Sequence, residues 1–374
     1  MTPILLNDFK AQWDSIREDF LESTDRVGKS GYLILGQEVK DFEKALAHYW
    51  GLPFSIGCAS GLDAIEISLR ALGLQPQDKV LTTPLSAFAT TLAILRAGGT
   101  PVFCDTDPSG LINLNLVEEI LDSDPSIKFL VPVHLFGHAL DLRRLKVLKQ
   151  SYNLKIVEDC AQSIGTKSFG LPTGSVGDLA ATSFCPTKNL GCYGDGGAVL
   201  TSEESLSNLA KSIRDYGQVE KYRHAVLGLN SRLDELQAAF LRTALLPRLS
   251  AWTDKRKAIA RIYLQEIKNP LIENVLVPEG SDSCWHLFPV RSKNRDRLKN
   301  RLTEQKIHTG VHYPILIPDQ PVFETPETRN QIEIRSPLEN AKLLTEEELS
   351  LPIHPFLNDS EVARVVEACN SWKG

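Results

Sequence analysis

Short apolar runs alternate with helical patterns of hydrophobic and polar residues between about residues 38 and 245. In the first helical pattern, Val39, Phe42, Leu46 and Tyr49 recur at helical spacing. Apolar runs typical of buried strands follow at 79–83, 101–104, 129–133, 155–159, 181–184 and 198–201. Helical patterns separate the earlier runs near 61–72, 87–97 and 114–122. Because such runs are typical of strands covered on both faces, the alternation predicts a large α/β domain with a mainly parallel sheet.

The pattern changes after Pro247, where a polar helical stretch rich in Arg and Lys begins. One strand-like run lies at 285–290, and a Pro-rich loop follows at 314–326. A final helix after Asp359 would bury an apolar face that ends at Trp372. We therefore predict a large domain over residues 1–248 and a smaller α+β domain over residues 249–374.

Composition and charge narrow the class of partner. The 374 residues are 42% hydrophobic and 24% charged, which is typical of a soluble enzyme. A net charge of -6 argues against nucleic acid or an anionic membrane, which would require a basic face. No apolar stretch approaches the length of a membrane span, and the N-terminus lacks a signal-peptide pattern. Seven scattered cysteines without a Cys-x-x-Cys pair favour free thiols, no metal site and a cytoplasmic protein.

The segment 156–201 carries the most informative polar residues. Asp159 stands at the end of a predicted strand, where ligands bind in parallel sheets. Ser183 and Lys188 follow a second strand, and four glycines come soon after them. Because glycine allows a close approach of the backbone to a ligand, the segment predicts a crowded binding site at the carboxyl edge of the sheet.

A lysine and a strand-end carboxylate together fit pyridoxal phosphate. This cofactor forms a Schiff base with a lysine that later moves a proton, a role that Lys188 would fill. A carboxylate must also face the pyridine nitrogen and keep it protonated, as Asp159 would do. Each residue taken alone has an ordinary explanation, since lysine is mostly a surface residue and Asp159 could cap a turn. His134 fits a core histidine as readily as a site residue.

The phosphate of this cofactor requires free backbone N–H groups at a helix N-terminus. Ser60 is a candidate N-cap before an apolar helix that begins with Gly61 and Leu62, and Ser183 could add a hydroxyl. Phe88 lies on a loop after another predicted strand, where its ring could stack on the cofactor. A simple helix start at Ser60 and a core position for Phe88 are the alternatives.

In chain order, five segments resemble the StrS/DegT-type sugar aminotransferases of the fold-type I pyridoxal-phosphate superfamily. These segments lie at 158–162, 174–178, 183–191, 194–197 and 230–239. Several long motifs in the right order are far more specific than one short pattern. The resemblance covers nearly the whole chain, and it implies a large domain with a mainly parallel sheet of the seven-stranded type and a smaller C-terminal α+β domain.

The resemblance also implies roles for single residues. Lys188 would be the Schiff-base lysine and general acid/base, and Asp159 would pair with the pyridine nitrogen. Gln162 would lie near the ring hydroxyl of the cofactor. The residues expected around the phosphate and the ring face are Ser60, Gly61, Leu62, Ser183 and Phe88.

The same resemblance implies a homodimer with active sites shared between subunits. Asn230 would contact the cofactor phosphate of the neighbouring subunit, and Arg232 would approach the substrate there. His312 and Tyr313 resemble the substrate-contacting loop of the family.

Two positions depart from the family pattern. Leu62 stands where a small polar residue such as Thr is usual, so one hydroxyl contact to the phosphate is lost. Cys185 stands where an aromatic or histidine side chain is common, which alters the expected substrate pocket.

The implied reaction is transfer of the amino group of glutamate to a nucleotide-linked keto sugar, for a surface polysaccharide or a glycoside. The segment 188–197 resembles the branch that aminates C3 of a dTDP- or UDP-linked sugar, whereas members that aminate C4 often carry Glu in place of Asp195. The alternatives are C4 amination, an amino-acid aminotransferase or lyase, and a regulatory or binding homologue without turnover.

Overall fold

The computed structural model describes residues 2–374. The β-strands are β1 (Phe54–Cys58), β2 (Lys79–Thr82), β3 (Thr100–Phe103), β4 (Phe129–Val131), β5 (Lys155–Asp159), β6 (Lys167–Ser168), β7 (Leu171–Pro172), β8 (Leu179–Ser183), β9 (Gly197–Thr201), β10 (Gln218–Glu220), β11 (Arg223–His224), β12 (Glu273–Asn274), β13 (Ser281–Asp282), β14 (Phe288–Arg291), β15 (Glu333–Ile334) and β16 (Glu348–Leu351). The α-helices are α1 (Phe9–Ser30), α2 (Gln37–Trp50), α3 (Gly61–Ala71), α4 (Phe88–Arg96), α5 (Leu114–Ser123), α6 (Leu142–Tyr152), α7 (Glu204–Arg214), α8 (Glu235–Phe240), α9 (Leu249–Glu266), α10 (Arg295–Glu304), α11 (Pro326–Arg329), α12 (Glu339–Glu347) and α13 (Asp359–Asn370).

The central sheet has the strand order β1-β9-β8-β5-β4-β2-β3-β15. The strands from β8 to β15 are parallel, whereas β9 and β1 join antiparallel at one end. Successive strand residues point to opposite faces, so Val80 and Leu81 enter different apolar clusters, as do Val157 and Ile156. Helices α3, α4 and α7 cover one face, and α5 and α6 cover the other. Both faces are therefore buried, which explains the apolar strand runs.

Helices α1, α2 and α8 pack together beside the β1 end of the sheet. The Glu235 carboxylate accepts hydrogen bonds from the backbone N–H groups of Glu38 and Val39, both at 2.9 Å. It thus satisfies two free N–H groups in the first turn of α2. The contact also fixes the start of α8, and with it the preceding segment 230–234.

The C-terminal part forms a second, smaller unit. Strands β12, β14 and β16 make an antiparallel sheet, against which α9, α10 and α13 pack. The chain after residue 248 also contributes to the large unit, because β15 pairs in parallel with β3, and Leu338 and Leu344 pack into a cluster of the large sheet. The boundary at 248/249 stays a prediction.

The predicted α/β architecture is confirmed, with seven longer strands and the two-residue β15 as an eighth. Sequence patterns missed β1, β12, β15, β16 and the short hairpins. No helix among residues 2–374 is long and apolar enough to span a membrane.

Candidate active site

The two residues that carry the chemical prediction follow neighbouring parallel strands. Asp159 ends β5 and lies opposite Ala181 of β8. Beyond β8 the chain turns tightly, with the Lys188 N–H donating to the carbonyl of Cys185 at 2.8 Å. A Cβ on Gly191 would lie 2.4 Å from the Pro186 oxygen, so only glycine fits this turn. The fold thereby brings Lys188 back over the carboxyl edge, towards Asp159.

Asp159 is buried and held by two donors. Its Oδ2 accepts from the Thr90 hydroxyl at 2.8 Å, and its Oδ1 accepts from the Ala161 N–H at 3.1 Å. Burial raises the pKa of the Asp159 carboxyl, while the two hydrogen bonds and the charge of Lys188 act in the opposite direction. The carboxylate is therefore fixed in direction and lacks a full counter-ion of its own.

The Lys188 amine is buried, like the Asp159 carboxylate, and the two groups affect each other's pKa. Burial lowers its pKa, and the negative charge of Asp159 partly opposes that effect. A lysine with a lowered pKa is more often neutral near pH 7, the form that attacks a carbonyl carbon. The charges of the Lys188 amine and the Asp159 carboxylate thus act on each other.

An anion site adjoins these residues at the N-terminus of α3. Ser60 caps the helix, since its Oγ accepts from the Asp63 N–H at 3.1 Å. The N–H groups of Gly61 and Leu62 have no acceptor among residues 2–374. A Cβ on Gly61 would lie 2.7 Å from the Ser183 Cβ, so the helix start is pressed against the end of β8. Free N–H groups, a helix dipole and the Ser183 hydroxyl together suit a phosphate.

A cavity of about 250 Å³ opens beside Lys188. Its lining residues are Leu6, Asn7, Gln162, Thr187, Lys188, His286, Leu287, His312, Tyr313 and Ile353. The Gln162 oxygen accepts from the Phe136 N–H at 2.7 Å, so its amide nitrogen is turned towards the Tyr313 hydroxyl at 3.2 Å. The structure therefore brings three of the predicted residues, Gln162, His312 and Tyr313, to one cavity with Lys188.

Phe88 lies at the start of α4, two residues before Thr90. Its half-buried ring packs against Phe323 of the C-terminal part, with 6.1 Å between the two ring centroids. This contact joins the start of α4 to the C-terminal part of the chain. Its stacking on a cofactor stays a prediction.

The segment with Asn230 and Arg232 lies on the other side of the α3 N-terminus. Between them, the Ser231 hydroxyl donates to Asp63 at 2.7 Å and accepts from Ala59 N–H at 3.1 Å. Asn230 itself is exposed, and Arg232 pairs with Asp215 at 3.1 Å. Neither Asn230 nor Arg232 lines the Lys188 cavity of its own chain.

Sequence reasoning missed Thr90 and His286. Thr90 touches Asp159 from 69 positions away, and a Thr inside an apolar helix gives no signal of this contact. His286 lies in the strand-like run 285–290, where it is buried and its Nδ1 lies 3.3 Å from the Asn189 Oδ1. Burial and the positive charge of Lys188 hold its pKa well below the usual range, so it contributes a neutral imidazole.

His134 belongs to the support of the site rather than to the cavity. Its Nε2 donates to Glu158 at 2.8 Å, and the same carboxylate accepts from the N–H groups of Gly174, Val176 and Gly177. Although Cys160 lies close enough to complete a metal-ligand group, the Glu158 oxygens are already saturated by these donors. The cluster fixes β5 and the loop before β8.

Comparisons with known proteins show the family of this chain. A model of the DegT/DnrJ/EryC1/StrS aminotransferase family matches residues 14–370. A pleiotropic regulatory protein of Geobacillus stearothermophilus is 38% identical, with 96% of each chain covered. The dTDP-3-amino-3,4,6-trideoxy-alpha-D-glucose transaminase of Streptomyces venezuelae is 37% identical, over 98% of this chain and 95% of that protein.

A solved structure is similar over the whole length. The crystal structure of S. venezuelae DesV in complex with a ketimine intermediate has a TM-score of 0.93 and 36% sequence identity, and the match covers 100% of this chain and 99% of that one. The expected fold-type I architecture is thereby confirmed. The chain belongs to the DegT/DnrJ/EryC1/StrS aminotransferase family.

Proposed function

We propose that this protein is a pyridoxal-phosphate-dependent aminotransferase that moves the amino group of glutamate to a nucleotide-linked 3-keto sugar. One observation carries the proposal: at the carboxyl edge of the sheet, the charges of Lys188 and Asp159 act on each other, and the free N-terminus of α3 is pressed against Ser183, at the end of the strand before Lys188. An amine, a carboxylate and a phosphate site are the three groups that this cofactor requires.

The residues present fit the cofactor. Gly61, Leu62 and Ser183 would hold its phosphate, and Asp159 would pair with the pyridine nitrogen. The space at the phosphate end depends on glycine, since a Cβ on Gly61 would collide with Ser183. When bound, the cofactor supplies a ring that accepts the electrons released at the substrate carbon.

The protein residues then position groups and move protons. Lys188, with its lowered pKa, can take a proton from the substrate carbon and return it at another atom. Thr90 and Ala161 hold Asp159 in one direction, so its charge stays aimed at the ring nitrogen. Gln162, turned by Phe136, offers its amide N–H groups towards the ring oxygen.

Amination at C3 of a dTDP- or UDP-linked sugar is supported by the relatives and by Asp195. The S. venezuelae relative is named for a dTDP-3-amino sugar. Asp195 lies exposed on the turn after the Lys188 loop, at the position where C4-aminating members often carry Glu. Amination at C4 is the alternative within this reaction. In either case, the amino sugar would serve the synthesis of a surface polysaccharide or a glycoside.

A homodimer would complete the site. The segment before Asn230 exposes large apolar side chains, with Tyr222 at 83% and Leu227 at 89% exposure. Tyr32 and Leu33 are exposed as well, and they lie next to the start of α8, since the Leu33 carbonyl accepts from the Glu235 N–H at 3.2 Å. Such a patch is typical of a protein–protein interface. Packed against a second copy, it would carry Asn230 to the partner's phosphate and Arg232 to the partner's substrate.

A non-catalytic regulator is the second candidate, because one similar relative is named a pleiotropic regulatory protein. The complete set of Lys188, Asp159 and α3 favours turnover instead. A Lys188→Ala variant that keeps every cellular effect of the natural protein would favour the regulator.

The direct test mixes purified, cofactor-loaded protein with glutamate in a stopped-flow spectrometer. We expect the Schiff-base absorbance to convert in one turnover to that of pyridoxamine phosphate, with release of 2-oxoglutarate. Addition of a 3-keto nucleotide sugar should then restore the first spectrum, whereas a 4-keto sugar should not. No spectral change with glutamate would refute the proposed function, and a faster response to the 4-keto sugar would move amination to C4.

Seven free cysteines are consistent with the cytoplasm, which we propose as the compartment. Nucleotide sugar and glutamate are both small soluble substrates, so the proposal requires no further partner.

A further inference from the structure

A fully buried carboxylate lies behind the proposed substrate cavity. Glu348, the first residue of β16, has 0% exposure and no cationic side chain within salt-bridge distance among residues 2–374. Its Oε2 accepts from the backbone N–H of His312 at 2.6 Å, and its Oε1 accepts from the Ser350 hydroxyl at 2.5 Å. An isolated buried carboxylate is costly, so its presence next to an active site suggests a chemical use.

Ser350 connects this carboxylate to the cavity. It lies two residues further along β16 and therefore on the same face of the strand. Its Oγ lies 2.9 Å from the Nδ1 of His312. The three side chains thus form an unbroken hydrogen-bonded chain from Glu348 through Ser350 to His312.

His312 ends the chain at the cavity wall. Its Nδ1 is taken by Ser350, and its Nε2 has no protein partner among residues 2–374. Lys188 and His312 both line the cavity of about 250 Å³. A Cβ on Gly310 would lie 2.6 Å from the imidazole Cε1, so glycine at this position makes room for the ring. One imidazole nitrogen is therefore hydrogen-bonded to Ser350, and the other is free to contact a substrate in the cavity.

We propose that Glu348, Ser350 and His312 form a proton relay that serves the oxygen atom of the substrate in the cavity. This inference rests on the proposed aminotransferase function. His312 would be the catalytic residue, because it lines the cavity beside Lys188 and would touch a substrate bound there. Glu348 and Ser350 are positioning residues that act through it.

The relay moves one proton per step, and the number of protons on its three residues is the same at the end as at the start. In each half of transamination, a water oxygen joins or leaves a carbonyl carbon. As the water oxygen bonds to carbon, its proton passes to Nε2 of His312, the Nδ1 proton passes to the Ser350 oxygen, and the Ser350 proton passes to Glu348. The proton returns along the same path to the nitrogen that leaves that carbon. Glu348 then ends ionised, as it began.

The charged groups around the relay favour this proton transfer. Burial raises the pKa of Glu348 to about 8, while the His312 N–H, Ser350 and the charge of Arg295 on α10 oppose the rise. Burial and the nearby Lys188 lower the pKa of His312 to about 4, so the ring stays neutral and passes protons without storing one. Buried His286 and Tyr313 are the other titratable groups beside the ring, and both are neutral near pH 7.

The sign of the pH dependence follows from Glu348. Above its pKa, the carboxylate draws the Ser350 proton, His312 carries its proton on Nδ1, and Nε2 is free to accept. Below it, the protonated carboxyl reverses the chain, and Nε2 carries the proton. Since only ionised Glu348 can receive a proton, the rate of the glutamate half-reaction should fall about tenfold between pH 9 and pH 7.

Two measurements test the relay. The first is ¹⁵N NMR of histidine-labelled, cofactor-free protein, in which the His312 signals should change from the Nδ1–H to the Nε2–H tautomer as the pH falls through about 8. The second is the rate at which the Schiff-base absorbance decreases in a single turnover with glutamate, measured as a function of pH. Glu348→Gln and Ser350→Ala should abolish both dependences and slow the turnover at pH 9 by at least about tenfold.

Glu347→Gln is the matched control. Glu347 is the neighbouring carboxylate, but it pairs with Arg291 at 3.0 Å away from the cavity, so its removal should leave both profiles unchanged. If Glu348→Gln and Ser350→Ala keep the wild-type tautomer change and pH profile, the relay is wrong although the aminotransferase function stands. If the wild-type protein does not react with glutamate at any pH, the proposed function itself fails. Cofactor uptake by each variant, followed by absorbance, separates the two outcomes.

Discussion

Replacement of Thr90 by Val tests whether the direction and charge of Asp159 govern cofactor binding. The two side chains have nearly the same shape, so the substitution removes the hydroxyl and leaves the packing of α4 in place. The lost contact is the 2.8 Å hydrogen bond from the Thr90 hydroxyl to the Asp159 Oδ2. The Ser86 hydroxyl, 3.0 Å from that of Thr90, loses a partner as well.

The magnitude follows from the type of hydrogen bond. A bond to a charged group contributes about 1.5–3 kcal/mol, and about 1.4 kcal/mol corresponds to one pKa unit. Because the bond stabilises the ionised form, its loss raises the pKa of Asp159 further, in the same direction as burial does. Asp159 then becomes protonated at a higher pH, and the cofactor loses its ring partner there.

The assay is cofactor affinity measured by absorbance between pH 5 and pH 9. We expect the acidic limb of the Thr90→Val profile to move to higher pH by about one to two units. Thr91→Val is the matched control, because the adjacent Thr91 hydroxyl is equally buried but has no hydrogen-bond partner. Identical profiles for the two variants would refute the role given to Thr90 and Asp159.

Three further predictions concern the lysine, the phosphate site and the dimer. Lys188→Ala should take up no covalently bound cofactor and lose activity by more than about a thousandfold, while its circular dichroism stays that of the natural protein. Leu62→Thr restores a hydroxyl at the α3 N-terminus and should lower the Kd for pyridoxal phosphate by about two- to tenfold, as equilibrium dialysis would measure; an unchanged Kd would place position 62 away from the phosphate. Lys188→Ala and Arg232→Ala chains, each inactive alone, should regain activity when refolded together, since a shared site leaves one complete centre per mixed dimer; continued inactivity would contradict the sharing.

The sequence predicts those candidate site residues that stand at the end of a strand or at the start of a helix. Asp159 ends a run of buried residues that is visible in the sequence, and Ser60 precedes an apolar helix, so both positions follow from short-range rules. The turn around Lys188 is marked by its glycines. These features predict a binding site at the carboxyl edge of the sheet before any tertiary contact is known.

The rest depends on contacts between distant segments. Thr90 reaches Asp159 only because α4 and β5 meet in the folded chain. Glu348 closes an acidic run, Glu346 to Glu348, that is typical of a solvated helix end, yet the chain enters β16 there and buries the last carboxylate. No local pattern distinguishes that residue from its two exposed or half-exposed neighbours.

The most direct test of the central claim is to reduce the cofactor-loaded protein with borohydride and to map the labelled peptide by mass spectrometry. The geometry predicts a single pyridoxyl group on Lys188 and none in the Lys188→Ala variant. A label on another lysine, or no label at all, would contradict the pairing of Lys188 with Asp159 across one cofactor ring.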